Sequence, residues 1–257
     1  MRHLLTGLII LSIATCWSLS SCKKELSATG SPTTIQLWFN NVAGIAPLTR
    51  GTIYQDSYTG EQFSVGAFKY YISNVQLISS SGVFTNIPSV YRLVDAFDTT
   101  TTSVSFPGVA DSLVAISFLI GVDSTVDASG PRNGDLDPSK GMFLGGNQGY
   151  IMAELTGYSP ASSQVNFSFN YQISGYTGPY NVLRKVTLAL PGLPVTVSPV
   201  IPDTVQIRID TDVQTWFSAV HYLPISGNST CTAPGQLASE YADNYAHMFV
   251  VRNVIIK

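Results

Sequence analysis

The sequence predicts an all-β protein: a single antiparallel β-sandwich-like domain with long loops and at most short helices. Three observations carry this. Apolar and polar residues alternate over many short runs, which is the period of a half-buried strand. Clusters of Gly, Pro, Asn, Asp and Ser separate those runs. The composition agrees, with 13 Tyr, 12 Phe, 21 Gly and 14 Pro in 257 residues, a mixture that suits strands and turns.

In chain order, Ile35, Leu37 and Phe39 alternate with Gln36, Trp38 and Asn40. This turns Trp38 away from the core, either to cover a second layer or to stand exposed as a binding aromatic. Ile116, Phe118 and Ile120 follow the same rule, as do Val165 to Ile173, Val186 to Leu190 and Val205 to Ile209. One face of each run should meet a core and the other solvent. Turns are expected at Asp56 to Gly60, Ser79 to Gly82, Ser129 to Gly134, Gly175 to Pro179 and Pro191 to Pro194. Only two stretches suit a short helix, one near Trp216 and Phe217 and one over Gln236 to Tyr245. With no composition break and no internal repeat, residues 34–257 read as one domain.

The first 21 residues read as a lipoprotein signal peptide: Arg2 and His3, an apolar stretch from Leu4 to about Leu19, then Ser20-Ser21-Cys22. The stretch is too short and too interrupted for a membrane span, which needs about 20 apolar residues. Small residues before Cys22 resemble a bacterial lipobox, which implies cleavage there and acylation of Cys22, the lipidation site. The membrane is then a partner through the lipid anchor. Residues 22–33, Lys23-Lys24-Glu25 and then a Ser/Thr/Gly/Pro-rich stretch, read as a flexible tether. Charges directly after the acylated Cys resemble surface-export signals of Bacteroidetes lipoproteins, so the expected location is the cell envelope, at the outer membrane or cell surface. Cys16 leaves with the signal and Cys22 takes lipid, so Cys231 has no intramolecular partner. It lies in a loop-like stretch with no cationic neighbours to activate it.

Charge excludes a nucleic-acid footprint. Lys and Arg number 13 against 16 Asp and Glu, and no basic cluster exists to neutralise phosphates. Charged residues are 11% of the chain, too few for a coiled coil. The mature chain has two histidines, His221 and His247, and lacks HExxH, GxSxG, CxxC and a phosphate-cradling loop. No nucleophile–base pair can be named, so a binding protein is expected rather than an enzyme. Asp123, Asp127, Asp135 and Asp137 crowd one segment with Asn133. They have the oxygens for a hard cation such as calcium but not the EF-hand spacing; turn capping by Asp side chains is the favoured reading. His247 beside Met248 offers soft donors for copper.

Five phrases in order carry a family resemblance: Phe68-Lys69-Tyr70-Tyr71-Ile72-Ser73-Asn74-Val75-Gln76-Leu77, Ile120 to Ser124, Leu136-Asp137-Pro138 to Phe143, Gly149-Tyr150-Ile151 with Glu154 to Gly157, and Asp243-Asn244 to Phe249. They resemble the MbnP-like family of bacterial lipoproteins, from about Ile35 to Val254. The resemblance implies a lipid-anchored β-sandwich-like domain and copper binding or acquisition, sometimes beside a di-haem peroxidase-like partner. It also implies a copper site resting on histidines. Two departures bear on this. Asn41 stands where many relatives carry His, and Gln172 stands in the place of a second His. Amides are poor copper ligands beside imidazole, so the site reads as degenerate. The alternative is a metal-independent surface lipoprotein that binds a glycan or a protein.

Overall fold

The computed structural model describes residues 33–257, apart from 89, 109–110, 147, 193 and 198–202. The stretch read as a signal peptide, Cys22 and the expected tether up to residue 32 lie outside the described residues; Thr33, the last residue assigned to the tether, is buried and its carbonyl accepts from Gly108 N at 2.6 Å. Two sheets form the body. The smaller orders β16 (Phe249–Ile256), β14 (Thr204–Asp212), β1 (Thr34–Ala43) and β2 (Ala46–Pro47), with β7 (Ser103–Pro107) also on β1. The larger orders β12 (Arg184–Ala189), β8 (Asp111–Ile120), β4 (Gln62–Ser79), β10 (Gly149–Tyr158), β11 (Ser168–Ser174) and β15 (Thr230–Cys231). Short strands extend it: β3 (Ile53–Gln55), β5 (Phe84–Asn86) and β6 (Tyr91–Asp95) on β4, β9 (Phe143–Gly145) on β10, and β13 (Val195–Val197) on β8. Two α-helices are present among the described residues, α1 (Ser124–Ala128) and α2 (Gln236–Tyr245). None is long and apolar enough to cross a membrane.

The all-β, sandwich-like architecture is the one the alternation predicts, with one correction. The sheets are not purely antiparallel: β1 runs parallel to β14, from Thr34 beside Thr204 to Val42 beside Asp212. A parallel pair needs a long crossover, and every strand of the larger sheet except β15 lies between these two strands in the chain. The inward residues of both sheets meet as aromatic edges. Phe39 of β1 contacts Tyr70 of β4, Phe118 of β8 and Phe249 of β16 with ring centroids 6.0, 6.3 and 6.2 Å apart, in the edge-to-face geometry that aromatic quadrupoles favour.

The 18-residue strand β4 serves two neighbours. Ser64 to Tyr70 pair with β10, whereas Ile72 to Ser79 pair with β8. The register shifts between Ser73 and Gln76, where Asn74 adopts φ 50°. Asn tolerates this left-handed geometry better than most residues.

The alternation read from Val165 to Ile173 begins too early. Residues 165–167 form a 3₁₀ turn, and the strand starts at Ser168. Val165 and Phe167 are exposed rather than inward, because Asn166 and Phe167 take φ 60° and 57° and break the pleat.

Candidate functional site

Asn41 sits near the end of β1, beside Thr211 of β14. The Tyr70 hydroxyl donates to Asn41 Oδ1 at 3.1 Å and lies 3.2 Å from Thr211 Oγ1. Tyr70 is fully buried, and burial pushes its hydroxyl far above the usual tyrosine range, so it remains a proton donor. Asn41 lines a cavity of about 310 Å³ with Trp38, Asn40, Ile45, Thr99 and Arg252. Asn40 Nδ2 donates to Asp210 Oδ1 at 3.2 Å, and Arg252 Nε donates to the other Asp210 oxygen at 2.8 Å. Trp38 faces outward as its alternation predicts, with the Arg208 guanidinium 6.0 Å from its ring centroid.

Gln172 lies elsewhere. Its Nε2 donates to Glu154 Oε1 at 3.1 Å, and Lys69 Nζ lies 4.0 Å from Glu154 Oε2. Gln172, Glu154 and Lys69 are direct neighbours across β11, β10 and β4. Lys69 and Tyr70 are consecutive on β4 and point to opposite faces. Gln172 therefore shares the face of Lys69, while Asn41 meets the face of Tyr70. The larger sheet separates the two amides.

The histidines do not join either amide. His221 Nε2 lies 3.1 Å from Asp243 Oδ2, and Arg184 Nε donates to Asp243 Oδ1 at 2.8 Å. Burial raises the Asp243 carboxyl, but the hydrogen bonds from Arg184 and His221 outweigh it and hold the group below the usual carboxylate range. His247 is exposed just beyond α2, its backbone N–H donating to the Asn244 carbonyl at 3.0 Å.

The acidic segment is used as turn and cap chemistry. Asp123 caps α1 by accepting from the Thr125 and Val126 N–H groups, and the Tyr91 hydroxyl donates to its other oxygen. Asp127 Oδ1 accepts from Tyr150 N at 3.0 Å. Asp135 Oδ2 accepts from Leu93 N at 3.1 Å and pairs with Arg92 at 3.4 Å. Asp137 Oδ1 accepts from Ser139 N at 2.8 Å. Among the described residues, no three His, Cys, Asp or Glu side chains gather in a way that could hold a metal ion. His247, His221, Asp123, Asp127, Asp135 and Asp137 are not brought together as one ligand set. The donors present do not fit a copper centre either: two neutral amides, each engaged in a hydrogen bond, stand on opposite sides of a sheet.

The sequence profile of the MbnP family matches residues 32–233. The chain belongs to the MbnP family. MbnP from Methylosinus trichosporium has a similar structure, with a TM-score of 0.54 at 14% identity over 79% of this chain and 83% of that one. At that identity the likeness is one of fold. A search of curated proteins gives no match.

The phrases that resemble the MbnP family are, in this chain, mostly fold-bearing. Ser73 Oγ donates to the Gly121 carbonyl at 2.7 Å. Gly121 has φ +112°, and a Cβ there would lie 2.7 Å from Leu183 and 2.8 Å from Met152. A Cβ on Gly149 would lie 2.0 Å from Asp127 Oδ1. Buried Asn244 accepts from the Val220 and His221 N–H groups at 2.9 and 2.7 Å and donates to the Trp216 and His221 carbonyls at 3.0 and 2.8 Å. It staples the His221 loop to α2. Sequence reasoning missed this role, and it missed Tyr70 as the partner of Asn41. The Tyr70 partnership leaves no local signal, because Asn41 and Thr211 come from strands far apart in the chain.

Proposed function

We propose that this MbnP-family chain is a lipid-anchored envelope protein, held at the outer membrane or cell surface through Cys22, that binds a ligand without copper and catalyses no reaction. One observation supports it above the others. The two positions where the resemblance places imidazoles carry amides that the larger sheet holds apart. Anchoring rests on the leader and on Ser20-Ser21-Cys22. Copper acquisition beside a di-haem peroxidase-like partner, which the resemblance implies, would need donors that these positions do not supply. A glycan or protein partner suits the chain better, given its low charge and the outward Trp38 beside Asn40 and Arg252. Copper titration of the purified full chain tests the reading. The wild type is expected to take up copper no more tightly than a His221→Ala/His247→Ala double variant. A tight site present in the wild type and lost in that variant would overturn it.

A further inference from the structure

We propose that the groove between Ile53, Tyr158 and Phe167 binds the ring of a neutral sugar. Ile53, Ser64 and Tyr158 stand side by side across β3, β4 and β10. With Phe63, Pro160 and Phe167 they line a cavity of about 330 Å³, within the range of small-ligand sites. Ile53 is 70% exposed, Tyr158 59% and Phe167 61%. A single exposed apolar residue is ordinary, but three around one hollow form a patch that marks a binding surface.

The backbone supports the same conclusion. Asn166 and Phe167 both occupy the left-handed region, at φ 60° and 57°, which is an outlier for a bulky side chain. Two hydrogen bonds fix this geometry: Ser159 N to the Phe167 carbonyl at 2.8 Å, and Phe167 N to the Gln164 carbonyl at 3.0 Å. The turn tolerates strain and holds an aromatic ring at the groove instead of in the core. Strain of this kind concentrates at ligand sites.

The lining selects the occupant. No Asp, Glu, Lys, Arg or His lines the groove, so a charged ligand would find no counter-charge. Among the described residues, the side chains of Gln62, Ser64, Tyr158 and Asn166 make no hydrogen bond. A hydrocarbon partner would strip these groups of water and leave them unpaired, which is costly. A pyranose satisfies both kinds of surface. Its C–H face lies on the aromatic rings, and its hydroxyls pair with the amides and hydroxyls. The groove is separate from the Asn41 cavity and does not depend on whether copper binds elsewhere.

Calorimetric titration of the full chain with cellohexaose, maltohexaose, xylohexaose and chitohexaose, each alone, tests the proposal. At least one is expected to bind. Tyr158→Ala and Phe167→Ala should each weaken it by about tenfold, the loss of one aromatic stacking contact. Asn166→Gly, which keeps the left-handed backbone but removes the amide, should weaken binding without lowering the unfolding temperature. The proposal is overturned if none of the four sugars binds, or if binding survives both aromatic substitutions unchanged. It is also overturned if those substitutions abolish self-association of the chain while no sugar binds, which would make a second copy the occupant.

Discussion

Replacing Asp127 by Asn should remove a defined part of the pH dependence of folding. Asp127 is 3% exposed. Its Oδ1 accepts the Tyr150 N–H, and its Oδ2 has no partner among the described residues. Burial raises the pKa, the Tyr150 N–H pulls it back in part, and the charge of Asp123 raises it again, leaving the carboxyl pushed up from 3.8 to about 6. The native chain thus holds this proton more tightly than the unfolded chain does. Between the two pKa values the native state binds more protons, so this group makes stability fall as pH rises through that window. A shift of about two units corresponds to about 3 kcal/mol in full, of which about 2 kcal/mol falls between about pH 4.5 and about pH 7.5. Urea unfolding of wild type and Asp127→Asn across that range reads it directly. Carboxyls held low, such as Asp243, act in the opposite direction but are common to both proteins and cancel in the difference. The wild type should lose about 2 kcal/mol relative to the variant on going from the acid end to the neutral end. Superimposable profiles would refute the reasoning.

Asn244→Ala removes four hydrogen bonds from a fully buried side chain and should cost about 3 kcal/mol in urea unfolding; a loss below about 1 kcal/mol would mean that the loop re-pairs with water. Cys231 is buried in β15, and burial pushes its thiol up to about 11. A thiol reagent at mildly alkaline pH should leave it unmodified until denaturant is added, and prompt labelling of the native chain would contradict its burial.

Much of the fold was legible in the sequence because period-two alternation reports burial directly. Ile35, Leu37 and Phe39 face inward and Trp38 outward, as their spacing requires. Pairing is another matter. The parallel contact of β1 with β14 joins segments far apart in the chain, and no local pattern encodes which strand lies beside which. The alternation also continues numerically through Val165 and Phe167, although a left-handed turn has already ended the strand there. Cys231 looked like a loop residue because its flanks are Ser, Thr, Pro and Gly; its two-residue pairing with β11 is purely tertiary.

The candidate site was legible only in part, and the reason lies in particular residues. The family resemblance singles out Asn41 and Gln172 as amides where it implies imidazoles. It did not reveal that Tyr70 and Glu154 engage them on opposite faces of the larger sheet. Gly121, Gly149, Asp137 and Asn244 carried the family resemblance because they shape turns, caps and a loop staple. Residues of that kind identify a fold without identifying its ligand.

Metal analysis of the full chain purified from its native host is the most direct check on a copper-free role. Copper is expected far below one equivalent, and unchanged by Asn41→Ala and Gln172→Ala. A full equivalent of copper that survives dialysis against a chelator and disappears in either variant would contradict it.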